Sequence, residues 1–350
     1  MIDDEPLVIG ITGLNATDNP GPGIPVIRAL RDGFGNNIRI IGLCYEPLEP
    51  GIYLKNVVDK TYQIPYPAAG ANALLERLQH ICQQENLQVL IPNFDAELYN
   101  FIILERPLKQ LNIHTFLPSQ QQLAMRDKVN LSVLGEQLQF NVPESYTITK
   151  IISLKEAAEK TGFPLVIKGK YYDAQVAETP QQAQEAFHKL SVKWGLPLIV
   201  QQFISGTEIN VAVLGDGKGK VISQVSMRKM YITEKGKAWA GTTIADQDLA
   251  DLAQQFTQKT QWKGAFELEL IRNNQGKLYV IEINPRFPAW IYLAAAAGQN
   301  QPKTLVQMAL GEEVAPFETY QTGKVFIRYA WDLITDIAEF QQIAAFGESG

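Results

Sequence analysis

The stretch from Gly264 to Arg286, GAFELELIRNNQGKLYVIEINPR, constrains the chain most. Phe266 to Arg272 alternates apolar and polar residues, Asn273-Asn274-Gln275-Gly276 supplies turn chemistry, and Lys277 to Asn284 alternates again, so the segment reads as a β-hairpin. Phe266, Leu268 and Leu270 then share one face of the first strand and Glu267 and Glu269 the other. In the second strand Tyr279, Ile281 and Ile283 oppose Glu282, Asn284 and Arg286. A slip of one residue would bury acids, so the register that merges the apolar faces is preferred and sets Glu269 beside or diagonal to Glu282. Like charges at cross-strand distance repel unless a cation sits between them. Oxygen ligands from Glu and Asn suit Mg²⁺, with Mn²⁺ the alternative metal. A solvated hairpin face carrying surface acids is the competing reading, and Asn284-Pro285-Arg286 weighs against it.

With 350 residues, 46% of them apolar and 19% charged, the chain is long enough for two or three domains with a sizeable core. Cys44 and Cys82 read as small apolar residues of a reducing compartment, and the cytosol is the default expectation. The run around Ala289 to Ala297 is far short of the roughly 20 residues of a membrane span, so no membrane partner is expected. A formal net charge of −6 and the lack of a basic stripe argue against nucleic acid. His80, His114 and His188 are isolated and read as surface or packing residues.

Leu7 to Gly13, a loop, the helix-like IPVIRALRDGFG and the strand Ile38 to Leu43 open a doubly wound sheet, continued by a helix from Asn72 to Glu85 and a strand from Val89 to Pro92. Ligands in such sheets lie beyond the carboxyl ends of strands, which singles out the loops holding Asn15, Asp18 and Asn19 and holding Asp95 and Glu97. Plain turns would read the same way. One helix is expected from Ser119, its N-cap, to Phe140, carrying Asp127-Lys128. Val142-Pro143 begins a small unit with a helix over Ser153 to Thr161, the strand Leu165 to Lys168, a helix near Pro180 to Leu190 and the strand Leu198 to Phe203. Lys168 ends an apolar strand, where burial of its stem aims the ammonium at what lies beyond, and phosphate is a natural partner. Asn210 to Leu214 and Val221 to Met227 form another hairpin, which delivers Arg228 and Lys229 to a polar loop from Thr233 to Thr243. These and Lys237 suit phosphate or a carboxylate, or a solvated surface.

The pattern G-x-x-x-x-E followed by E-I-N-P-R, Gly264 to Arg286, resembles the metal and catalytic hairpin of the ATP-grasp superfamily, in the subgroup that contains carbamoyl phosphate synthetase and biotin carboxylase. The resemblance implies an α/β and α+β architecture: a Rossmann-like domain over 1–118, a connecting helix over 119–141, a lid over 142–204 and an antiparallel-sheet domain over 205–350. ATP would lie between the last two, with Mg²⁺ on Glu269, Glu282 and Asn284. Lys128, in a D-K pair before the lid, and Lys168 would meet the phosphates. IVQQFISGTE, Ile199 to Glu208, is similar to the adenine hinge, so Gln201 and Gln202 would meet N6, Phe203 and Ile204 would flank the base, and Glu208 would take the ribose. Arg228 joins this nucleotide set. Where many lids carry a glycine-rich loop, this chain has Lys168-Gly169-Lys170-Tyr171-Tyr172-Asp173, which gives Lys170 and the tyrosines that role or leaves closure impaired. Phe287-Pro288-Ala289-Trp290 replaces the polar run of biotin carboxylase and argues against bicarbonate and biotin.

The activity implied is ADP-forming ligation of a carboxylate to an amine or thiol through an acyl phosphate, with Arg286 and Lys168 as the catalytic groups. The substrates would be small molecules or peptides. A homodimer, or a carrier or partner protein, is compatible with the resemblance. The alternatives are carboxyphosphate chemistry within a carbamoyl phosphate synthetase-like assembly and an ATP-binding regulatory subunit with reduced catalysis. The last twenty residues either dock or fray.

Overall fold

In a computed structural model the protein is described over residues 5–16, 20–127, 130–169, 173–233 and 236–349. Asp18, Asn19, Lys128, Lys170, Tyr171 and Tyr172 lie outside the described residues. Three sheets organise the rest. The first is parallel, built from β1 (Leu7–Ile11), β2 (Ile38–Cys44), β3 (Lys60–Gln63) and β4 (Val89–Ile91) in the order β3-β2-β1-β4. The central strands β1 and β4 are apolar along their whole length, and β2 is so apart from Arg39, because helices cover both faces: Gly23–Phe34 on one side, and Ala71–Glu85 with Asp95–Ile103 on the other.

The second sheet, order β5-β8-β6-β7, comprises β5 (Ser145–Ile148), β6 (Leu165–Gly169), β7 (Ala174–Ala177) and β8 (Leu198–Gln202) and is antiparallel throughout. The helices Ile152–Thr161 and Pro180–Trp194 pack on one face over Leu165, Ile167, Leu198 and Val200. In the third sheet β9 (Gly206–Asp216), β10 (Val221–Ile232), β11 (Ala238–Ile244), β12 (Lys263–Asn273), β13 (Leu278–Asn284) and β14 (Val325–Ile327) follow the order β13-β12-β9-β10-β11-β14.

The two faces of this third sheet differ in chemistry. Ile209, Val211 and Val213 of β9 and Phe266, Leu268 and Leu270 of β12 form a continuous apolar layer beneath the helices Gln247–Thr260 and Leu131–Leu138. There Phe256, Trp262 and Phe266 sit with ring centroids 5.1–5.7 Å apart. The other face is apolar only at one end, where Leu214, Ala212 and Ala265 join Trp290 and the helix Gly23–Phe34 in a shared core. Toward the opposite end it turns polar.

Three local expectations change. The helix expected over Ser119 to Phe140 is two helices, Gln120–Met125 and Leu131–Leu138. Ser119 does cap the first, its hydroxyl accepting from the Gln122 backbone N–H while Gln122 Oε1 accepts from the Ser119 N–H. The loop expected over 233–243 is largely β11, because Ala240, Gly241 and Thr242 complete ladders to both β10 and β14. The alternation of β13 is broken by a bulge: Glu269 pairs with Glu282 but Leu270 pairs with Val280, so Ile281 is unpaired and Val280, not Ile281, is buried with Ile283. Of the last twenty residues, Ile337–Phe346 is a helix that docks on β3. Ile343 is buried, the Gly347 carbonyl accepts from Gln63 N–H and Arg77 Nη2, and Ser349 N–H donates to the Thr61 carbonyl.

Candidate active site

The polar end of the third sheet builds the site by strict alternation. Cross-strand partners share a face, and the register pairs Glu269 with Asn210 of β9 and Glu282 of β13, and Glu267 with Ala212 and Asn284. Asn210 in turn pairs with Met227 of β10, which puts Lys229 on this face and Arg228 on the other, where it is exposed. Gly264, the second residue of β12, has φ +91°, and a Cβ there would stand 2.5 Å from the Phe116 carbonyl oxygen, so only glycine lets β12 pass that segment this closely.

Glu267, absent from the expected ligand set, is the most enclosed acid of the group. One oxygen accepts from Asn210 Nδ2 at 2.6 Å and Trp290 Nε1 at 2.7 Å, the other from Asn284 Nδ2 at 3.0 Å. Burial pushes its carboxyl up and the neighbouring Glu269 adds to this, against the pull of Arg286. Glu269 accepts from the same Asn284 amide at 2.9 Å and lies 3.5 Å from Lys229. Burial would raise it too, but Lys229, Lys237, Asn284 and Arg286 outweigh that cost and hold it down at about 2. Lys229, its side chain 6% exposed, also pairs with Glu208 at 2.7 Å. Burial opposes its charge, and Glu269 and Glu208 together keep its ammonium above the usual range. Glu208 and the hairpin acids are therefore joined through one buried cation.

Arg286 reaches away from the hairpin to the first domain, its Nε 3.2 Å from Asp95 Oδ1 and its Nη1 donating to the Phe287 carbonyl. Arg126 lies 3.7 Å from the other Asp95 oxygen. Burial opposes the charge of Arg286, and Asp95, Glu267, Glu269 and Glu282 more than compensate. Glu97, the second acid of that loop, is committed elsewhere: it is fully buried and caps its own helix, accepting from Asn93 and Phe94 N–H and from the Thr12 and Tyr45 hydroxyls.

Between the first domain and the third sheet lies a cleft of about 170 Å³. Asn15, Asn93 and Phe94 line it from one side, Lys229, Lys237, Glu267, Glu269 and Arg286 from the other, with Pro288, Trp290 and Arg328 completing the wall. Asn15 and Asn93, in the loops singled out from the sequence, thus reach the site, whereas the hinge residues do not line this cleft. In the second sheet, Lys168 pairs with Ile199 and Val166 with Gln201, so Lys168 and Gln201 share the sheet face that its helices leave uncovered. The Gln201 amide is buried and donates to Ser145 Oγ at 2.9 Å. Gln202 is on the opposite face and its N–H bonds the Glu144 carbonyl. Phe203 is exposed and Ile204 half-buried just past the strand end.

Among the described residues no three His, Cys, Asp or Glu side chains form a ready-made cage for a metal ion. Two facing carboxylates, Glu269 and Glu282, with the Asn284 amide oxygen are nevertheless a hard all-oxygen donor set. They fit Mg²⁺ that takes its remaining ligands from phosphate and water. The signal for Glu267 was present in the sequence as its shared face with Glu269. Nothing in the sequence pointed to the pairing of Arg286 with Asp95, nearly two hundred residues away.

Residues 196–329 match the family described as "ATP-grasp in the biosynthetic pathway with Ter operon". The chain is 25% identical over 257 residues, 68% of its length, to the carbamoyl phosphate synthase large chain of Clostridium botulinum (strain Alaska E43 / Type E3) and spans about a quarter of that relative's length, 23%. Its fold is similar to the biotin carboxylase domain dimer of Hydrogenobacter thermophilus 2-oxoglutarate carboxylase, solved with MgADP, ADP and bicarbonate, at TM-score 0.68 and 18% identity, covering 89% of this chain and 72% of that one. The L-amino acid ligase of Bacillus licheniformis gives TM-score 0.65 at 18% identity, covering 89% of this chain and 78% of that one. The fold is therefore that of the ATP-grasp enzymes, carried by a chain whose residues 196–329 match an ATP-grasp family model.

Proposed function

We propose that the protein is an ADP-forming carboxylate–amine ligase. One carboxylate oxygen attacks the γ-phosphorus of ATP and ADP leaves. An amine then attacks the carbonyl carbon of the acyl phosphate, and phosphate departs with loss of one amine proton. The observation that carries the reading is the convergence of Glu267, Glu269, Lys229 and Arg286 on one cleft, with the Asn284 amide bonded to both acids. It is supported by the ATP-grasp fold and by relatives and neighbours that include a carbamoyl phosphate synthase chain and an L-amino acid ligase.

In this reading Glu269, Glu282 and Asn284 hold Mg²⁺, which neutralises phosphate charge when bound. The nucleotide lies against the uncovered lid face, where Lys168 meets its phosphates and the strand end at Gln201 to Ile204 meets the base. Lys128 and Lys170 remain proposed nucleotide contacts, whereas Arg228, on the opposite face of the third sheet from the acids, gives that place to Lys229 in this reading. Arg286, oriented by Asp95, stabilises charge on the transferred phosphoryl group or on the tetrahedral carbon. Glu267 fixes the Asn284 and Asn210 amides and the Trp290 indole around that point.

The test is ADP release with Mg-ATP across amino acids, small carboxylates and bicarbonate, with Glu282→Gln as the blank. Release that needs one carboxylate and one amine supports the ligase, and bicarbonate-dependent release would replace it with carboxyphosphate chemistry. Tight Mg-ATP binding without turnover in every mixture would favour a regulatory subunit.

A further inference from the structure

The cations lining the cleft differ in what already satisfies them. Lys229 is paired with Glu208 and Glu269, and Arg286 with Asp95. Lys237 acts electrostatically on Glu269. Arg328, one residue past β14, has no such partner among the described residues: its Nε donates to the Ala238 carbonyl at 2.9 Å, its guanidinium carbon stands 5.6 Å from the Phe326 ring centroid, and no described carboxylate forms an ion pair with it. Its guanidinium is held against β11 and partly withdrawn from water, and the residue lines the cleft.

Desolvation without a compensating acid lowers the affinity of Arg328 for its proton, in contrast to Arg286, whose acids raise it. Among the described residues neither Nη group has a hydrogen-bond partner, and a planar fork of N–H donors matches a carboxylate. The cleft thus holds a network of mutually paired acids and cations and, apart from it, one guanidinium without an acid among the described residues. The acids Glu267 and Glu269 lie at the hairpin, Arg328 follows the edge strand β14, and Phe94, Pro288 and Trp290 supply apolar wall.

We propose that Arg328 anchors the free carboxylate of the amine substrate, which is an α-amino acid or a molecule of the same zwitterionic kind, with its amino group toward the Glu267 end. The assignment rests on the ligase reading and adds direction to it. A carboxylate held by Arg328 is kept from the phosphoryl group, so this substrate is consumed as the amine and its own carboxylate survives in the product.

The experiment measures ADP release and product mass with Mg-ATP in pairwise mixtures of the common L-amino acids, each partner offered as the acid and as the carboxamide. The wild-type protein is expected to use the acid form of the amine substrate with a KM about 10- to 100-fold lower than the amide, the range of a charge-assisted hydrogen bond. Arg328→Met should erase that preference while leaving the KM for Mg-ATP within about twofold, and Arg328→Lys should recover part of it. Equal use of acid and amide by the wild type, or a preference that survives in folded Arg328→Met, overturns the proposal. Loss of Mg-ATP binding in that variant would assign Arg328 to the nucleotide and overturns it as well. If no mixture releases ADP, the ligase reading is what fails. Calorimetric titration of the same acids and amides then decides Arg328 separately: acid-selective binding that the variant loses supports the anchor, and unselective or undetectable binding overturns it.

Discussion

At the residue scale the site is a ledger of buried charge, and its members are coupled. Removing the Arg286 side chain takes from Asp95, Glu267 and Glu269 the one cation they share. Arg286→Ala is therefore expected to lower kcat for ADP release by about 10²-fold or more, as loss of a transition-state donor does, while Mg-ATP still binds by calorimetry. Unchanged turnover would remove Arg286 from the mechanism. Outside the site, Glu49 is 6% exposed; its Oε1 accepts from Tyr45 N–H at 2.7 Å, and burial pushes its carboxyl up to about 7. A raised carboxyl binds more protons folded than unfolded, so its contribution is present below its ordinary value of 4.5 and is lost as pH rises through about 7. The stability of the wild type relative to Glu49→Gln should accordingly fall between these pH values, by up to about 3 kcal/mol, when urea midpoints are compared. A difference that is flat with pH would show that Glu49 titrates normally.

At the scale of elements, the hairpin was legible because alternation is local: Glu267 and Glu269 share a face on any extended chain. Its bulge was not. Tyr279, Ile281 and Ile283 keep the pattern in the sequence, and only packing against β12 and the helix Leu131–Leu138 decides that Val280 turns inward. β11 was missed for a related reason, since Lys237 to Thr243 lacks an apolar rhythm and becomes a strand only because β10 and β14 flank it. The apolar layer behind the acids stiffens the strands that carry them, and Phe256 lies at its centre, 1% exposed. Phe256→Ala should cost about 3–5 kcal/mol in denaturant unfolding, because the ring's removal leaves a cavity among Trp262, Phe266 and Phe140. A cost below about 1 kcal/mol would mean that the layer collapses around the gap.

For the molecule as a whole, the cleft exists only where the first domain meets the third sheet, and long-range contacts hold that junction. Asn300 Nδ2 donates to the Ala29 carbonyl, Tyr292 to Asp32, and the C-terminal helix Ile337–Phe346 ties back to β3 through Arg77 and Gly347. Truncation after Thr335 removes buried Ile343 and the bonds to Gln63 and Thr61. The thermal midpoint of that truncation is expected to fall by several degrees, and Arg77→Ala should reproduce part of the loss by scanning calorimetry. An unchanged midpoint would make the docked segment energetically neutral.

The sequence by itself determined the hairpin, its two acids, the asparagine and arginine that follow, and the alternation of helices and strands. Each of these depends on backbone periodicity and turn chemistry within a few residues. Only the tertiary structure decided that Glu267 is the buried hub, that Lys229 rather than Arg228 faces the acids, that Asp95 holds Arg286, and that Arg328 opens onto the same cleft. Those choices follow from which strand edges pair and which domain covers which face. Sheet register and interdomain packing set both, and neither is written in any local stretch of the chain.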